Sequence, residues 1–247
     1  MHLPVVALTF LLLMPVALLA KADAPIEATD KAPEGFKSLF NGKDLEGWVG
    51  GSTADPRKIT DQQQAKWDNE IKDHWKVEQG QLVSDGHGPH LVTKQKYRDF
   101  EMWVDWNLAP EGDSGIYLRD IPQVQIWDPQ HKPAHAAGSD KGSGGLWNNK
   151  KHERWPLEVA DKPTGEWNRM YIRMVGPYVL VKLNDKLVVD NVELENYFAP
   201  DEPAFEEGRI HLQTHGSETR FRRILLREID KDQRAKILAE INSGTGS

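Results

Sequence analysis

The feature that most constrains this chain is a two-residue period that recurs from His74 to Leu226 and is cut at short intervals by turn residues. Phe100, Met102, Val104 and Trp106 alternate with Glu101, Trp103, Asp105 and Asn107. The same alternation marks Ile116–Arg119, Val124–Trp127, Met170–Met174, Val179–Leu183 and Ile210–Gln213. Successive side chains of a strand point to opposite faces, so each segment has one apolar side for a core and one polar side. Gln79-Gly80 and Asn184-Asp185 punctuate the pattern as hairpin turns. In the last strand Phe221 and the pair Ile224 and Leu226 have opposite parity, which predicts a bulge between them. About ten or more short strands of this kind predict an antiparallel sandwich or closed barrel.

Helical patterns are confined to two places. Gln62–Lys72 lies in a polar excursion over residues 51–73, and Asp230–Ile241 places Ile237, Leu238 and Ile241 on one face near the chain end. One segment, Pro129 to Pro163, has no sustained period and is rich in His, Gly, Pro and Trp. A loop of that length within one domain is usually functional or disordered, and Trp147 and Trp155 argue against disorder.

Leu3–Ala20 is almost wholly apolar and leads to Ala20-Lys21-Ala22, the pattern of a secretory signal peptide cleaved near Ala22. Val5–Ala20 is 16 residues, short of the roughly 20 that a spanning helix needs. The expected organisation is therefore a signal peptide (1–22), a linker (23–34), a single β domain (35–229) and a C-terminal helix and tail (230–247), exported to a bacterial periplasm or medium. The chain has no cysteine, so neither a disulfide nor a thiol nucleophile contributes, and stability must come from packing. A net charge of −7 argues against nucleic acid or an anionic membrane as partner. A neutral ligand is the simpler expectation.

Motifs for nucleotide binding, metalloprotease chemistry and serine hydrolysis are absent. What remains are carboxylates, histidines and an arginine on polar strand faces. A hairpin across Asp120–Pro122 would gather Tyr117, Arg119, Gln125 and Trp127 into one patch, with Asp113 and Asp128 near one end. Two carboxylates flanking a sugar-sized site suit acid–base chemistry; the alternative is an exposed face with a solvated ion pair. His211, Gln213 and His215 share a side of a later strand, and His215 is a natural proton shuttle. Trp127, Trp147 and Trp155 stand beside Gly- and Pro-rich loop sequence, where an indole face serves either to stack a sugar ring or to anchor the loop. His131 and His135 have a helical metal spacing, but Pro133 between them argues against a helix.

Several ordered motifs give the chain a resemblance. Phe36-Lys37-Ser38-Leu39-Phe40-Asn41-Gly42-Lys43-Asp44-Leu45 with Gly47-Trp48 opens it, followed by Asp99-Phe100-Glu101 and Asp113-Ser114-Gly115-Ile116-Tyr117 with Arg119. Val124-Gln125-Ile126 with Asp128, Gly165-Glu166-Trp167-Asn168, and Leu212-Gln213 with His215-Gly216-Ser217 and Phe221-Arg222 complete the set. Together they resemble the 3-keto-disaccharide hydrolase family, also described as 3-keto-glucoside lyases and 3-keto-glucal hydratases, over roughly Gly35 to Ile229. The resemblance implies an all-β fold, a concanavalin-like jelly-roll sandwich of two antiparallel sheets, here with a short C-terminal helix. It also implies carbohydrate as partner and a reaction in which a C3 ketone acidifies C2–H, a base removes that proton and the C1 substituent departs. Carried onto this chain, His215 or Asp128 would be the base, Arg119 the enolate stabiliser and Asp113 or Glu101 the acid. Tyr117, Gln125, Trp127, Trp147, Trp155, His211 and Gln213 would bind substrate. A divalent cation would help as a Lewis acid, but no motif requires one. A carbohydrate-binding module without catalysis and an envelope interaction protein docking through Pro129–Pro163 are the competing expectations.

Overall fold

The computed structural model describes residues 32–244; the expected signal peptide and most of the linker lie outside the described residues. In chain order, β1 (Lys37–Ser38) and β2 (Trp48–Gly51) precede helix α1 (Asp61–His74). Then come β3 (Trp75–Glu78), β4 (Gln81–Ser84), β5 (His90–Thr93), β6 (Phe100–Leu108), β7 (Asp113–Leu118) and β8 (Ile121–Trp127). After the long loop follow β9 (Asn168–Val175), β10 (Tyr178–Leu183), β11 (Lys186–Glu193), β12 (His211–Leu212), β13 (Thr219–Glu228) and helix α2 (Lys231–Ser243).

The strands form two antiparallel sheets. The larger runs β11-β10-β9-β6-β13-β4-β3, with β1 on β13, and the smaller runs β2-β5-β12-β7-β8. The alternation of the sequence decides which side of each strand is buried: Phe100, Met102, Val104 and Trp106 from the larger sheet and Leu91, Ile116, Val124, Ile126 and Leu212 from the smaller join one core. The parity change in β13 is a bulge, with the β6 register slipping between Arg222 and Leu225 and Arg223 at a φ of 48°. Asn184 and Asp185 form their turn at φ of 49° and 67°, the left-handed pair that matches the twist of a two-residue hairpin. No described helix is long and apolar enough to cross a membrane.

The two segments that interrupt the strand rhythm cover the edges of the smaller sheet. Helix α1 is started by a capping box, in which Thr60 Oγ1 accepts from Gln63 N at 3.2 Å and Thr60 N donates to Gln63 Oε1 at 3.0 Å. It lies on edge strand β2, where Gly50 N donates to Asp68 Oδ1 at 2.9 Å and Gln64 Nε2 donates to Gly50 O at 2.8 Å. Gly50 has no room for a side chain there, because a Cβ would run into the Trp67 backbone. On the opposite edge, Gln125 N of β8 donates to Gly145 O at 2.9 Å and Gly144 N donates to Gln125 O at 2.8 Å. Both edges are therefore capped by intramolecular partners rather than left as templates for another chain. The long loop goes on to the larger sheet, where Leu157 N donates to Val188 O and Asn149 Nδ2 donates to Glu193 O.

Candidate active site

The outward face of the smaller sheet concentrates the polar side chains. Because Leu91, Ile116, Val124, Ile126 and Leu212 turn into the core, their neighbours His90, Asp113, Tyr117, Gln123, Gln125, His211 and Gln213 fall on the other side. Register brings them together: His211 pairs with Tyr117, Leu212 with Ile116, and Gly115 with Gln125. The Tyr117 and His211 rings stack with centroids 5.2 Å apart and planes at 16°, and His90 meets Tyr117 edge-on at 5.2 Å. Gln213 Nε2 donates to the Tyr117 hydroxyl at 3.2 Å. Burial pushes the Tyr117 hydroxyl above its ordinary range, so it keeps its proton.

One end of this face carries an ion pair. His215 Nδ1 lies 3.3 Å from Asp113 Oδ2, and Gln125 Nε2 donates to Asp113 Oδ1 at 2.7 Å. The hydrogen bond to Asp113 raises the His215 imidazole above the usual histidine value. His215 is 62% exposed, so protons and solvent reach it directly. The other end carries a buried pair. His211 Nε2 lies 2.8 Å from Asp120 Oδ1, and Asp120 is in turn held by Arg209 Nε and Arg209 N, each at 2.9 Å. Burial holds His211 below its ordinary value although Asp120 pulls the other way. It also holds His90 below its ordinary value, at about 3.

Between these ends the face is polar and under-satisfied. The Oε1 atoms of Gln123 and Gln213 and the Nδ1 atoms of His90 and His211 are buried and make no hydrogen bond within the described residues. Buried polar groups are normally paired, so four such atoms on one face mark a place where a polar ligand supplies the partners. Gly115 sits among them without a side chain. A Cβ there would stand 2.7 Å from Gln123 Oε1 and 3.1 Å from Gln213 Oε1, so glycine lets the two amides close in over the sheet.

Several sequence expectations are corrected. Arg119 does not share a face with Tyr117. The turn of the β7–β8 hairpin is Arg119-Asp120, at φ of 54° and 63°, and the left-handed backbone ends the alternation. The Arg119 side chain is 2% exposed and donates to Asp99 Oδ1 at 2.9 Å, Gly176 O at 2.8 Å and Phe205 O at 3.2 Å. It is thus engaged in the interior, away from the polar face. Glu101 lies on the larger sheet, accepting from Tyr171 Oη at 2.7 Å and from Arg227, so it is not the acid of this face. Asp128 closes a loop, accepting from Glu111 N, Gln130 N and Thr164 Oγ1. Against the effect of burial, these bonds hold its carboxyl below the ordinary range and occupy the oxygens a base would use.

The three tryptophans anchor the long loop. Trp127 is 4% exposed and donates to Gly142 O at 2.7 Å, and Trp147 donates to Ala137 O at 3.0 Å. The Arg154 guanidinium lies over both Trp147 and Trp155, and the Trp155 ring covers Gly138. His131 and His135 serve separate contacts, to Glu111 and to Pro129 O. Among the described residues no three His, Asp or Glu side chains converge as a metal site would need. Sequence reasoning missed His90, Asp120, Gln123 and Arg209. Only the apolar alternation around Gln123 carried a signal, and it marked a face without a partner.

The comparisons with known proteins agree with this architecture. Residues 35–227 match the model of the 3-keto-alpha-glucoside-1,2-lyase-like domain. The chain belongs to that family. A 3-keto-disaccharide hydrolase of Bacteroides thetaiotaomicron is 26% identical over 80% of this chain and 79% of its own. A solved Parabacteroides distasonis protein, provisionally assigned as a glycosyl hydrolase, is 26% identical, with a TM-score of 0.60 over 80% of this chain and 85% of its own. A second structure from that organism, 24% identical with a TM-score of 0.58 over 80% of this chain and 95% of its own, shares the fold. The family match runs from just before β1 into β13 and includes the polar face of the smaller sheet.

Proposed function

We propose that this family member acts on 3-keto-glycosides at the outward face of the smaller sheet, by removing the C2 proton and expelling the C1 substituent. The single observation that carries the reading is the His215–Asp113 pair set at the rim of a face with four unpaired buried polar atoms. The family description and the name of the Bacteroides relative support the substrate class.

The chemistry follows from the ketone. A C3 carbonyl acidifies C2–H; as that proton leaves, its electron pair forms the enolate and then the C1=C2 bond, and the C1–O bond breaks with its electrons going to oxygen. A proton delivered to that oxygen completes departure, and water adds to the glucal. Gln123 Oε1 and Gln213 Oε1 are placed to accept from sugar hydroxyls. Tyr117, which already accepts from Gln213, retains its proton for the enolate oxygen, a stabilisation that acts where charge develops. His215, protonated more readily because of Asp113, supplies the proton-transfer group at the open end.

A 3-keto-glucoside with a chromogenic leaving group tests this, with and without chelator, on residues 23–247. Release by the wild-type protein is expected, and for an unactivated glycoside His215→Gln lowers kcat by about 10²–10⁴-fold, the usual contribution of a positioned acid or base. Binding of an ordinary oligosaccharide with no release from any 3-keto-glycoside would instead establish a lectin-like module. Loss of release with chelator would reveal a metal requirement. Displacing the two amides gives a second check: Gly115→Ala is expected to lower kcat/KM at least about tenfold while shifting stability by less than about 1 kcal/mol. The atoms that a methyl meets are ends of flexible amide side chains, so the fold absorbs the change and the ligand does not. Unchanged turnover in Gly115→Ala would move the site elsewhere. The apolar stretch Leu3–Ala20 supports export, which N-terminal sequencing of the mature protein checks.

A further inference from the structure

We infer that His211, oriented by Asp120 and Arg209, is the base that removes the C2 proton, leaving His215 as the acid for the departing oxygen. This deepens the proposed function and rests on it. Asp120 is an ionised acceptor whose Oδ1 lies 2.8 Å from His211 Nε2, so a neutral His211 carries its hydrogen on Nε2 and a lone pair on Nδ1. Nδ1 is buried and has no partner among the described residues. A carboxylate that fixes one nitrogen and leaves the other free is the arrangement of an oriented general base.

Asp120 is itself immobile. Two bonds from Arg209 hold its carboxylate, and its own N donates to Arg209 O at 2.8 Å. It is therefore a positioning residue, set behind the ring in the hairpin turn whose two residues both have positive φ. Tyr117, stacked on His211 at 5.2 Å, fixes the plane of the imidazole. His90 also has a free Nδ1, but among the described residues no carboxylate orients its ring, so its tautomer is not imposed. The roles then separate: burial keeps His211 neutral and able to accept, whereas Asp113 raises the affinity of His215 for a proton and so favours it as the donor. Two titratable groups pushed in opposite directions at one site divide into base and acid.

The experiment compares His211→Gln, Asp120→Asn and His215→Gln with wild type in D2O. Substrates are a 3-keto-glucoside with an alkyl leaving group and one with a nitrophenyl group, and C2 deuterium incorporation and release are both followed. His211→Gln is expected to lose release at least about 10²-fold with either leaving group and to lose any exchange that wild type shows. His215→Gln is expected to retain exchange and to recover release with nitrophenolate, which needs no proton. Asp120→Asn is expected to lower kcat more than KM changes and to move the acidic limb of the pH profile to lower pH. The groups facing His211 are His90, Tyr117, Asp120 and Arg209, and Asp120 is the one that raises its affinity for a proton. A merely structural role would lower activity without moving that limb. If His211→Gln is folded and releases nitrophenolate at the wild-type rate, or if the leaving-group dependence falls on His211 rather than His215, the assignment is overturned. If His211→Gln does not fold, the Asp120→Asn limb decides, and an unmoved limb overturns the assignment. Wild type without activity on any 3-keto-glycoside defeats the proposed function itself, a distinct result.

Discussion

Arg119→Met is expected to destabilise the domain by about 3–5 kcal/mol, the cost of removing one partner from a buried ion pair. The guanidinium and the Asp99 carboxylate are 2% and 3% exposed. Besides Asp99, Arg119 satisfies Gly176 O and Phe205 O, two carbonyls that methionine leaves unpaired. Asp99 also accepts from Gly176 N at 2.7 Å and lies 3.0 Å from Arg234 Nε. The network thus ties the β7–β8 turn to the β9–β10 turn and to helix α2. At about 2–4 °C per kcal/mol for a domain of this size, the melting temperature is expected to fall by about 10 °C. Arg119→Lys does not restore it, because an ammonium cannot reach the carboxylate and two carbonyls with one planar fork. Urea melts decide the matter. A loss under about 1 kcal/mol, the range of an exposed pair, would show that the guanidinium is solvated and free for the polar face.

Acid is expected to unfold the protein through its buried histidines. His90 titrates at about 3 in the folded chain, chiefly because burial disfavours its charged form, with His211 and His215 adding repulsion. In the unfolded chain it titrates near 6.5. Below that value the unfolded state binds a proton that the folded state refuses, so stability falls as pH falls, by about 1.4 kcal/mol per unit. From His90 alone the loss approaches about 3 kcal/mol by pH 4.5, and His211, shifted the same way by burial, adds to it. His215 opposes them: raised by Asp113, its contribution is present below the unfolded value and lost as pH rises through the folded one. Exposure makes that term small. Melts between pH 4.5 and 7 should show stability rising with pH, and His90→Gln should flatten the slope. A profile as steep in His90→Gln as in wild type would place the acid sensitivity elsewhere.

The substitution data would also distinguish two classes of residue that look alike in the sequence. Arg119 and Glu101 lie in recognisable family motifs beside the site residues, yet each is engaged in a charge network away from the polar face. Proximity along the chain is a poor guide here, because strand neighbours point to opposite faces and turn residues obey neither.

The period of two, with Asn184-Asp185 and the parity change in β13, by itself determined the class of fold, the buried side of each strand and the bulge. These are local consequences of backbone geometry, set by residues within a few positions of each other. The polar residues His211, Gln213, Tyr117 and Gln125 were legible as one kind of surface for the same reason. Only the tertiary structure decided which of them meet. His211 finds Asp120 across 91 positions, through pairing of β12 with β7 and a turn whose positive φ values turn Arg119 away. The excursion over residues 51–73 and the long loop, both without a strand period, were given their place by the sheet edges they cover. Trp127, Trp147 and Trp155 were set as anchors by where the loop crosses the sandwich. Contacts of that range depend on register and chain crossing, which no single stretch of sequence encodes.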